Sequence, residues 1–187
     1  MSVELMIQPA TEPLTLAEAK AFLRLGGDAE DELVTALILA ARLAVEQLSR
    51  RRLIAQTLRA RFDRLPRTRT LRLAAGPVIE VAALEVAGPD GELVPIVPSA
   101  YAVDLVGEVA RIDVKVPLSP GLRFGGIAVT YVAGFGATAG DVPEPLRQAM
   151  RLLVAHWFEN RGDARAAGLP EAVVGLVAPF RRTGLAA

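Results

Sequence analysis

The residues of this chain best suited to chemistry lie in LLVAHWFENR, residues 152–161, which holds its one histidine, His156, and its one tryptophan, Trp157. A histidine can act as a general acid or base, or as a metal ligand, when a carboxylate, a hydroxyl or a second ligand lies within reach. At helical spacing the nearest polar neighbour of His156 is Asn160, four residues along the chain. The sequence contains no cysteine and no second histidine. We therefore predict a structural role for His156, with no catalytic residue and no metal site in the protein.

Two further motifs could bind a ligand, and neither has the full pattern. GFGATAG, residues 134–140, contains G-x-G but lacks the third glycine of a dinucleotide fingerprint and the Lys-Ser/Thr of a phosphate-binding loop. DAEDE, residues 28–32, groups four carboxylates, but acids are also favoured at the start of a helix by its dipole. The sequence therefore predicts no cofactor.

Arginines cluster in one part of the sequence. Residues 42–72 contain ten arginines against Glu46 and Asp63, whereas the rest of the chain holds 11 basic and 19 acidic residues. Such asymmetry is typical of a surface for nucleic acid or for an acidic protein, although only two of the 21 basic residues of the chain are lysines, so the cluster also fits a general preference for arginine. Single-strand binders interleave aromatic residues with basic ones, and residues 50–72 offer only Phe62. We favour a protein partner or solvent over nucleic acid. The candidate residues are Arg59, Arg61, Arg64, Arg67, Arg69 and Arg72.

The N-terminal third has the pattern of two helices. TLAE, residues 15–18, fits a capping box, and the glycines at 26 and 27 predict the end of the first helix. Asp28 is the predicted N-cap of a second helix, which ends in the arginines of residues 50–52.

The second helix carries more apolar residues than one buried face requires. A narrow polar stripe is predicted from Asp31, Thr35, Arg42, Glu46 and Ser49, and apolar residues occupy most of the remaining circumference. A surface helix needs an apolar stripe of only about 100°. Leu39 and Leu43 lie next to the polar stripe, so we predict that they contact a second subunit.

From residue 53 the periodicity changes from 3.6 to 2. Ile54, Leu58 and Phe62 alternate with polar residues, as in a half-buried strand. Further strands are predicted at residues 78–87, 92–97, 100–105, 108–114 and 127–133, with a turn at residues 88–91. No helical pattern separates them, which favours an antiparallel sheet.

The last third returns to helical spacing. Asp141 is a predicted N-cap, Gly162 a predicted helix end, and a stripe of Leu146, Met150, Leu153 and Trp157 a predicted core face. A short helix follows between Pro170 and Pro179, after a predicted flexible segment at residues 162–168. The fold class is therefore α+β, with N-terminal and C-terminal helices in one bundle and an antiparallel β-rich middle.

We predict one domain over residues 1–187, helical at 13–52, β-rich at 53–134 and helical at 141–182. The first residues show neither the basic nor the apolar region of a secretion signal, and the longest uncharged run, residues 124–140, is interrupted by glycines. We expect a soluble protein without membrane contact.

The order of these elements resembles a known family. PLTLAEAKAFLRL followed by GGDAEDELVTALILAARLAVEQLSRRRLIAQT, then VTYVAGFG, DVPEPLRQAMRLLVAHWFENR and LPEAVVGLVAPFRR, resemble the head–tail connector (adaptor) proteins of tailed bacteriophages and gene transfer agents. The resemblance runs from about Pro13 to Arg182 and rests on structural motifs. It implies a virion protein without enzymatic activity. An enzyme centred on His156 and an arginine-rich nucleic-acid-binding module are the alternatives.

Several partners follow from this resemblance. Connectors form a ring, usually of twelve copies, beneath the portal protein; they extend the channel through which DNA passes non-specifically, and a tail-side stopper or tail terminator protein attaches to them. The implied location is the head–tail interface of the virion, after synthesis and assembly in the bacterial cytoplasm. Whether the particle is a phage or a gene transfer agent is left open.

The C-terminal segment is the predicted portal-docking element. Its helix has barely two turns, too few for stability in isolation, and its aromatic and arginine residues are types favoured at interfaces. The alternative is a helix folded back onto the core of its own subunit. The candidate docking residues are Val173, Leu176, Val177, Phe180, Arg181 and Arg182.

Overall fold

The structure is a computed structural model, and it describes residues 1–161 and 168–182. The chain divides into two compact units. A β unit contains residues 1–9 and 55–134, and a helical unit contains residues 10–54 together with the described residues from 135 onward. The α+β class is confirmed. The predicted division of one domain at residues 53 and 134 stays a prediction. Folding as one cooperative domain stays a prediction.

The β unit consists of two antiparallel sheets. The five-stranded sheet has the order β1 (Ser2–Ile7), β2 (Gln56–Phe62), β8 (Ile127–Ala133), β4 (Val78–Ala87) and β5 (Leu93–Pro95). The three-stranded sheet has the order β3 (Thr70–Arg72), β7 (Arg111–Val114) and β6 (Tyr101–Asp104). The core of this unit includes Leu58, Leu71, Leu84, Ile112, Val129 and Tyr131, all fully buried.

The predicted strands are confirmed, and β4 and β8 have the predicted bounds. The predicted turn at residues 88–91 joins β4 to β5, with the Gly91 N–H donating to the Gly88 carbonyl at 3.0 Å. The strands β1 and β3 escaped prediction. β1 has too little inside–outside alternation, because nearly all of its side chains are exposed, and β3 has only three residues.

The helical unit contains α1 (Leu16–Leu23), α2 (Asp31–Ser49), α3 (Glu144–Glu159) and α4 (Glu171–Val177). The four helices pack around one apolar core, so the predicted bundle is confirmed. The core-facing stripe of α3 is confirmed as well, with Leu146, Met150 and Leu153 fully buried and Trp157 packed at its edge. No helix among residues 1–161 and 168–182 is long and apolar enough to span a membrane.

The predicted start of α1 is confirmed. The Glu18 N–H donates to the Thr15 hydroxyl at 3.2 Å, and the Thr15 N–H donates to the Glu18 carboxylate at 2.9 Å. These are the two reciprocal bonds of a capping box.

Two other helix boundaries were predicted wrongly. α1 ends at Leu23, before the glycines, because Arg24 adopts the left-handed conformation at φ 57° and closes the helix itself. Asp28 is not the N-cap of α2: the helix begins at Asp31, whose N–H donates to the Asp28 carbonyl at 3.1 Å, and the N-cap residue Glu30 makes no side-chain cap. The predicted end of α2 is confirmed, since Arg50 caps it at φ 55°.

Candidate interaction surfaces

His156 lies half-buried on α3, at the boundary of its core face. The side-chain amide of Asn160 lies 3.4 Å from His156 Nδ1 and donates to the His156 carbonyl at 2.7 Å. The predicted helical neighbour is therefore confirmed, and it completes the C-terminal turn of the helix. Residues 1–161 and 168–182 bring together no group of three histidine or acidic residues able to hold a metal ion.

The carboxylate of Asp141, directly after the loop formed by residues 134–140, accepts hydrogen bonds from that loop. Asp141 accepts hydrogen bonds from the Thr138 N–H and from the Thr138 hydroxyl, both at 2.8 Å. These bonds, the backbone one first, hold the pKa of Asp141 below its usual range. A Cβ at Gly136 would lie 2.4 Å from the Asp141 carboxyl, so only glycine fits there. The donors that a phosphate would need are thus already used by an aspartate.

Asp141 therefore has a different role from the one predicted. The N-cap position of α3 is held by Pro143, and Asp141 ends a short 3-10 turn instead. The predicted helix end at Gly162 and the predicted flexible segment at residues 162–168 lie almost wholly outside the described residues, and α3 ends at Glu159.

The acidic residues 28–32 take part in ion pairs. Asp31 pairs with Lys20 of α1, and Glu30 pairs with Arg161 at 3.0 Å. Both pairs join segments of the helical unit, which gives these carboxylates a structural use.

The six candidate arginines of the β unit separate into two groups. Arg59 lies 3.6 Å from Glu85 and donates to the Thr130 hydroxyl at 3.2 Å, and Arg61 pairs with Glu4 at 3.2 Å. Arg69 donates to the Val114 carbonyl at 2.9 Å. These three stabilise the sheets of their own subunit.

The other three, Arg64, Arg67 and Arg72, are exposed and line one open groove of about 900 Å³. Met1 and Phe62 lie in the same groove, with Asp63 as the one acidic lining residue among those described. We call this surface the arginine groove, and it contains three of the six arginines predicted to form a basic surface. Its partner, whether acidic protein, DNA or solvent, stays a prediction.

A buried polar network occupies the predicted polar stripe of α2. Arg42, Glu46 and Ser49 are all nearly or fully buried. The Glu46 carboxylate accepts hydrogen bonds from Arg52 at 2.9 Å and from the Leu53 N–H at 3.1 Å. Arg42 lies 3.6 Å from the same carboxylate and donates to Glu12 at 2.7 Å. The C-terminal half of the predicted stripe is therefore part of an internal network, whereas Thr35 in its N-terminal half is exposed.

Two leucines of α2 are exposed, although the helix packs most of its apolar residues in the core. Leu39 and Leu43 expose 43% and 51% of their surface, although the helix core residues Val34, Ile38 and Val45 are buried. The helix thus has three polar residues inside and two leucines outside. Exposed leucines on one helix face support the predicted subunit contact, which stays a prediction.

The C-terminal segment is packed on the helical unit. Val173 and Val177 belong to its core, and Leu176 and Phe180 pack against it. The segment is also tied by its backbone. Arg51 donates to the Phe180 carbonyl at 2.6 Å, and the N–H of the buried Arg182 donates to the Ser49 carbonyl at 3.1 Å.

Of the six docking candidates, only Arg181 is exposed in this arrangement. Val174 of α4, which is not among the six candidates, is also exposed. Portal docking through Val173 and Val177 stays a prediction, and it requires these residues to leave the core in which they now lie.

The chain is similar to chains of solved particle structures. No protein-family model and no curated protein matches the sequence. A chain in a structure described as the virion of a native gene transfer agent (GTA) particle is 28% identical, with a TM-score of 0.83, and the alignment covers 99% of this chain and 97% of that chain. A chain from the neck of an empty GTA particle, computed with C6 symmetry, is 27% identical, with a TM-score of 0.82 and the same coverage. A chain from the neck of a native GTA particle, computed with C12 symmetry, is 26% identical, with a TM-score of 0.79, again covering 99% and 97%.

Proposed function

We propose that this chain is a head–tail connector, a structural protein of the neck of a gene transfer agent or tailed-phage particle. The observation that carries the proposal is the similarity to a GTA virion chain over 99% of this chain and 97% of that one, at a TM-score of 0.83 and 28% identity. If the two proteins shared a single module only, the alignment would cover only part of one of them. Here both units and their order along the chain correspond to a component of such particles.

The proposed connector acts as a ring of twelve copies beneath the portal protein. Two of the similar neck structures were computed with C6 and C12 symmetry, which supports a cyclic arrangement. In this role the chain extends the channel for DNA and binds a tail-side stopper or tail terminator protein. The role is mechanical and needs no catalytic group.

The genetic test removes the gene from the host that encodes it and examines particles by electron microscopy. We expect DNA-filled heads without attached tails, and complementation with the wild-type gene should restore complete particles. Complete infectious or DNA-transferring particles in the absence of the gene would contradict the proposal, as would purified particles that lack the protein.

We propose further that the C-terminal segment docks onto the portal by leaving its packed position. Its backbone is tied to the helical unit by hydrogen bonds that include those from Arg51 to the Phe180 carbonyl and from Arg182 to the Ser49 carbonyl. A helix of seven residues has little stability of its own. The segment can therefore exchange one packing surface for another.

Two variants test this docking on DNA-filled capsids that lack the connector. Deletion of residues 169–187 removes the segment, and Arg181→Glu changes an exposed charge without touching the core; thermal unfolding shows which variants fold. Both should lose capsid binding, and Lys115→Glu, a matched charge reversal at an exposed residue of the β unit, should retain it. Normal capsid binding by the folded Arg181→Glu protein together with a folded truncation would overturn the docking assignment.

One observation favours the alternative function, a nucleic-acid-binding module: Arg64, Arg67 and Arg72 converge on one groove. Three phosphate contacts would give log K a slope of about −3 against log salt concentration. If the groove instead meets protein, duplex DNA should bind the monomer weakly, and Arg64→Gln with Arg67→Gln should leave that binding unchanged. Tight binding with the steep slope, lost in that double variant and retained in Arg59→Gln, would favour the nucleic-acid function.

A further inference from the structure

The N-terminal strand β1 is an edge strand with little protection. It is hydrogen-bonded to β2 on one side, and no strand among the described residues pairs with its other side. Leu5, Met6 and Ile7 expose about half of their surface or more, with Ile7 at 64%. Proteins normally blunt such an edge with charge, proline or a covering element, because it would otherwise pair with other chains. The one charged residue of β1, Glu4, is paired with Arg61 and leaves the apolar side chains uncovered.

The opposite edge of the same sheet is protected. β5 has only three residues and ends in Pro95, which has no N–H to donate. Its exposed apolar residue, Val94, stands alone between Leu93 and that proline. The two edges of one sheet thus differ: β5 resists pairing, whereas β1 offers six residues of backbone and a run of apolar side chains.

We propose that a second copy of this chain covers the outer edge of β1. The inference rests on the proposed function, because each copy in a cyclic assembly contacts two others through surfaces that every copy carries. Pairing of β1 with β1 of another copy would be isologous and would close into dimers. In a ring the edge of β1 therefore meets a different surface of the next copy, as a head-to-tail contact.

The surroundings of β1 favour protein over DNA as the occupant. The strand presents methionine, leucine and isoleucine, and permanent protein interfaces are rich in apolar residues and depleted in charge. Met1, the residue before β1, also lines the arginine groove, so the N-terminal end of this edge meets the surface that carries Arg64, Arg67 and Arg72. Outside residues 42–72 the chain carries 19 acidic against 11 basic residues. A second copy can therefore supply both the apolar and the acidic complement.

The test places a photoreactive residue, p-benzoylphenylalanine, at Ile7 of the full chain in assembled particles, with Val94 on the protected edge as the matched control position. After irradiation we expect, from Ile7, an adduct at twice the 19.8 kDa chain mass that contains peptides of this chain alone. At Val94 the yield of this adduct should be at least tenfold lower.

Three results would overturn the inference: an adduct from Ile7 to a different particle protein, no adduct from Ile7, or equal self-adducts from both positions. Each is read in particles already shown to contain the protein. Absence of the protein from particles is a separate result, and it would contradict the proposed function instead.

Discussion

The N-terminal strand and the C-terminal helix of this protein have similar compositions and opposite environments. β1 contains Val, Leu, Met and Ile, and α4 contains Val and Leu. α4 buries Val173 and Val177 in the helical core, whereas β1 leaves Leu5, Met6 and Ile7 exposed. Apolar composition alone therefore does not separate a core element from an interface element. The separation depends on how many faces of the element the rest of the fold covers.

The two elements are also held in different ways. β1 is held by its backbone bonds to β2 and by the Glu4–Arg61 pair, so its side chains contribute little to the stability of the subunit. α4 is too short to be stable alone and depends on its buried side chains and on the ties from Arg51 and Arg182. Substitutions should consequently affect folding in α4 and assembly in β1.

The largest effect is expected at the network to which the C-terminal segment is tied. Glu46→Ala leaves the buried Arg42 without one of its two carboxylates and leaves the Leu53 N–H without its acceptor. Loss of one partner of a buried ion pair costs about 3–5 kcal/mol. Denaturant unfolding should show this loss, while the exposed neighbour Gln47→Ala should stay within about 0.5 kcal/mol of wild type. Equal effects of the two substitutions would show that the network does not stabilise the helical unit.

Matched truncations in α4 and β1 distinguish a core element from an interface element. Val173→Ala removes two buried methyl groups and should lower the free energy of unfolding by about 2–3 kcal/mol. Ile7→Ala removes exposed atoms and should change it by less than about 0.5 kcal/mol, with a loss of assembly into particles. A larger destabilisation from Ile7→Ala than from Val173→Ala would reverse the assignment of core and interface.

A smaller and more local effect is expected at Arg51. Arg51→Ala removes the hydrogen bond to the Phe180 carbonyl, and a bond from a charged donor contributes about 1.5–3 kcal/mol. The amides of α4 should exchange with solvent about tenfold faster or more, while those of β2 are unchanged. Arg181→Ala, which changes an exposed arginine of the same segment, is the control and should leave α4 protected. Unchanged exchange in Arg51→Ala would show that the side chain does not hold the segment.

The smallest effect concerns pH and the start of α1. The Thr15 N–H, then the Thr15 hydroxyl and Arg147, hold the pKa of Glu18 below its ordinary value. A lowered folded-state pKa stabilises the protein above the unfolded value of about 4.3, and the contribution is lost as pH falls through the lower folded value. Wild type should therefore exceed Glu18→Gln in stability at pH 6, and the difference should shrink below about pH 4. A difference independent of pH would contradict this cap. Thr15→Ala removes the hydroxyl that caps α1 and should lower the free energy of unfolding by about 1 kcal/mol.

Regular periodicity allowed much of the fold to be predicted. The core stripe of α3 follows from side-chain spacing, because that helix has one covered and one open face. The bounds of β4 and β8 follow instead from short apolar runs that lie between turn residues, since β8 is buried on both faces. The end of α1 and the start of α2 could not be predicted from glycine and aspartate alone. Arg24 adopts a left-handed conformation usually left to glycine, and Asp28 lies three residues before α2 begins.

The polar stripe of α2 shows why the interaction surfaces were harder to predict. Periodicity identifies Arg42, Glu46 and Ser49 as one face, but it does not tell whether that face meets water or other charges of the fold. The spacing of Arg42 and Glu46 by four residues, with Arg52 close in sequence, is the one signal of an internal network. Leu39 and Leu43 were identified from the same helical pattern as apolar residues outside the core face. β1 was not recognised, because its sequence shows no alternation.

The most direct test of the connector assignment is an electron cryomicroscopy reconstruction of the neck of particles from the host that encodes this chain. We expect the fold described above, repeated around the particle axis between the portal and the tail, with the edge of β1 at the boundary between adjacent copies. A neck whose density between portal and tail is accounted for by other proteins, with this chain absent, would contradict it.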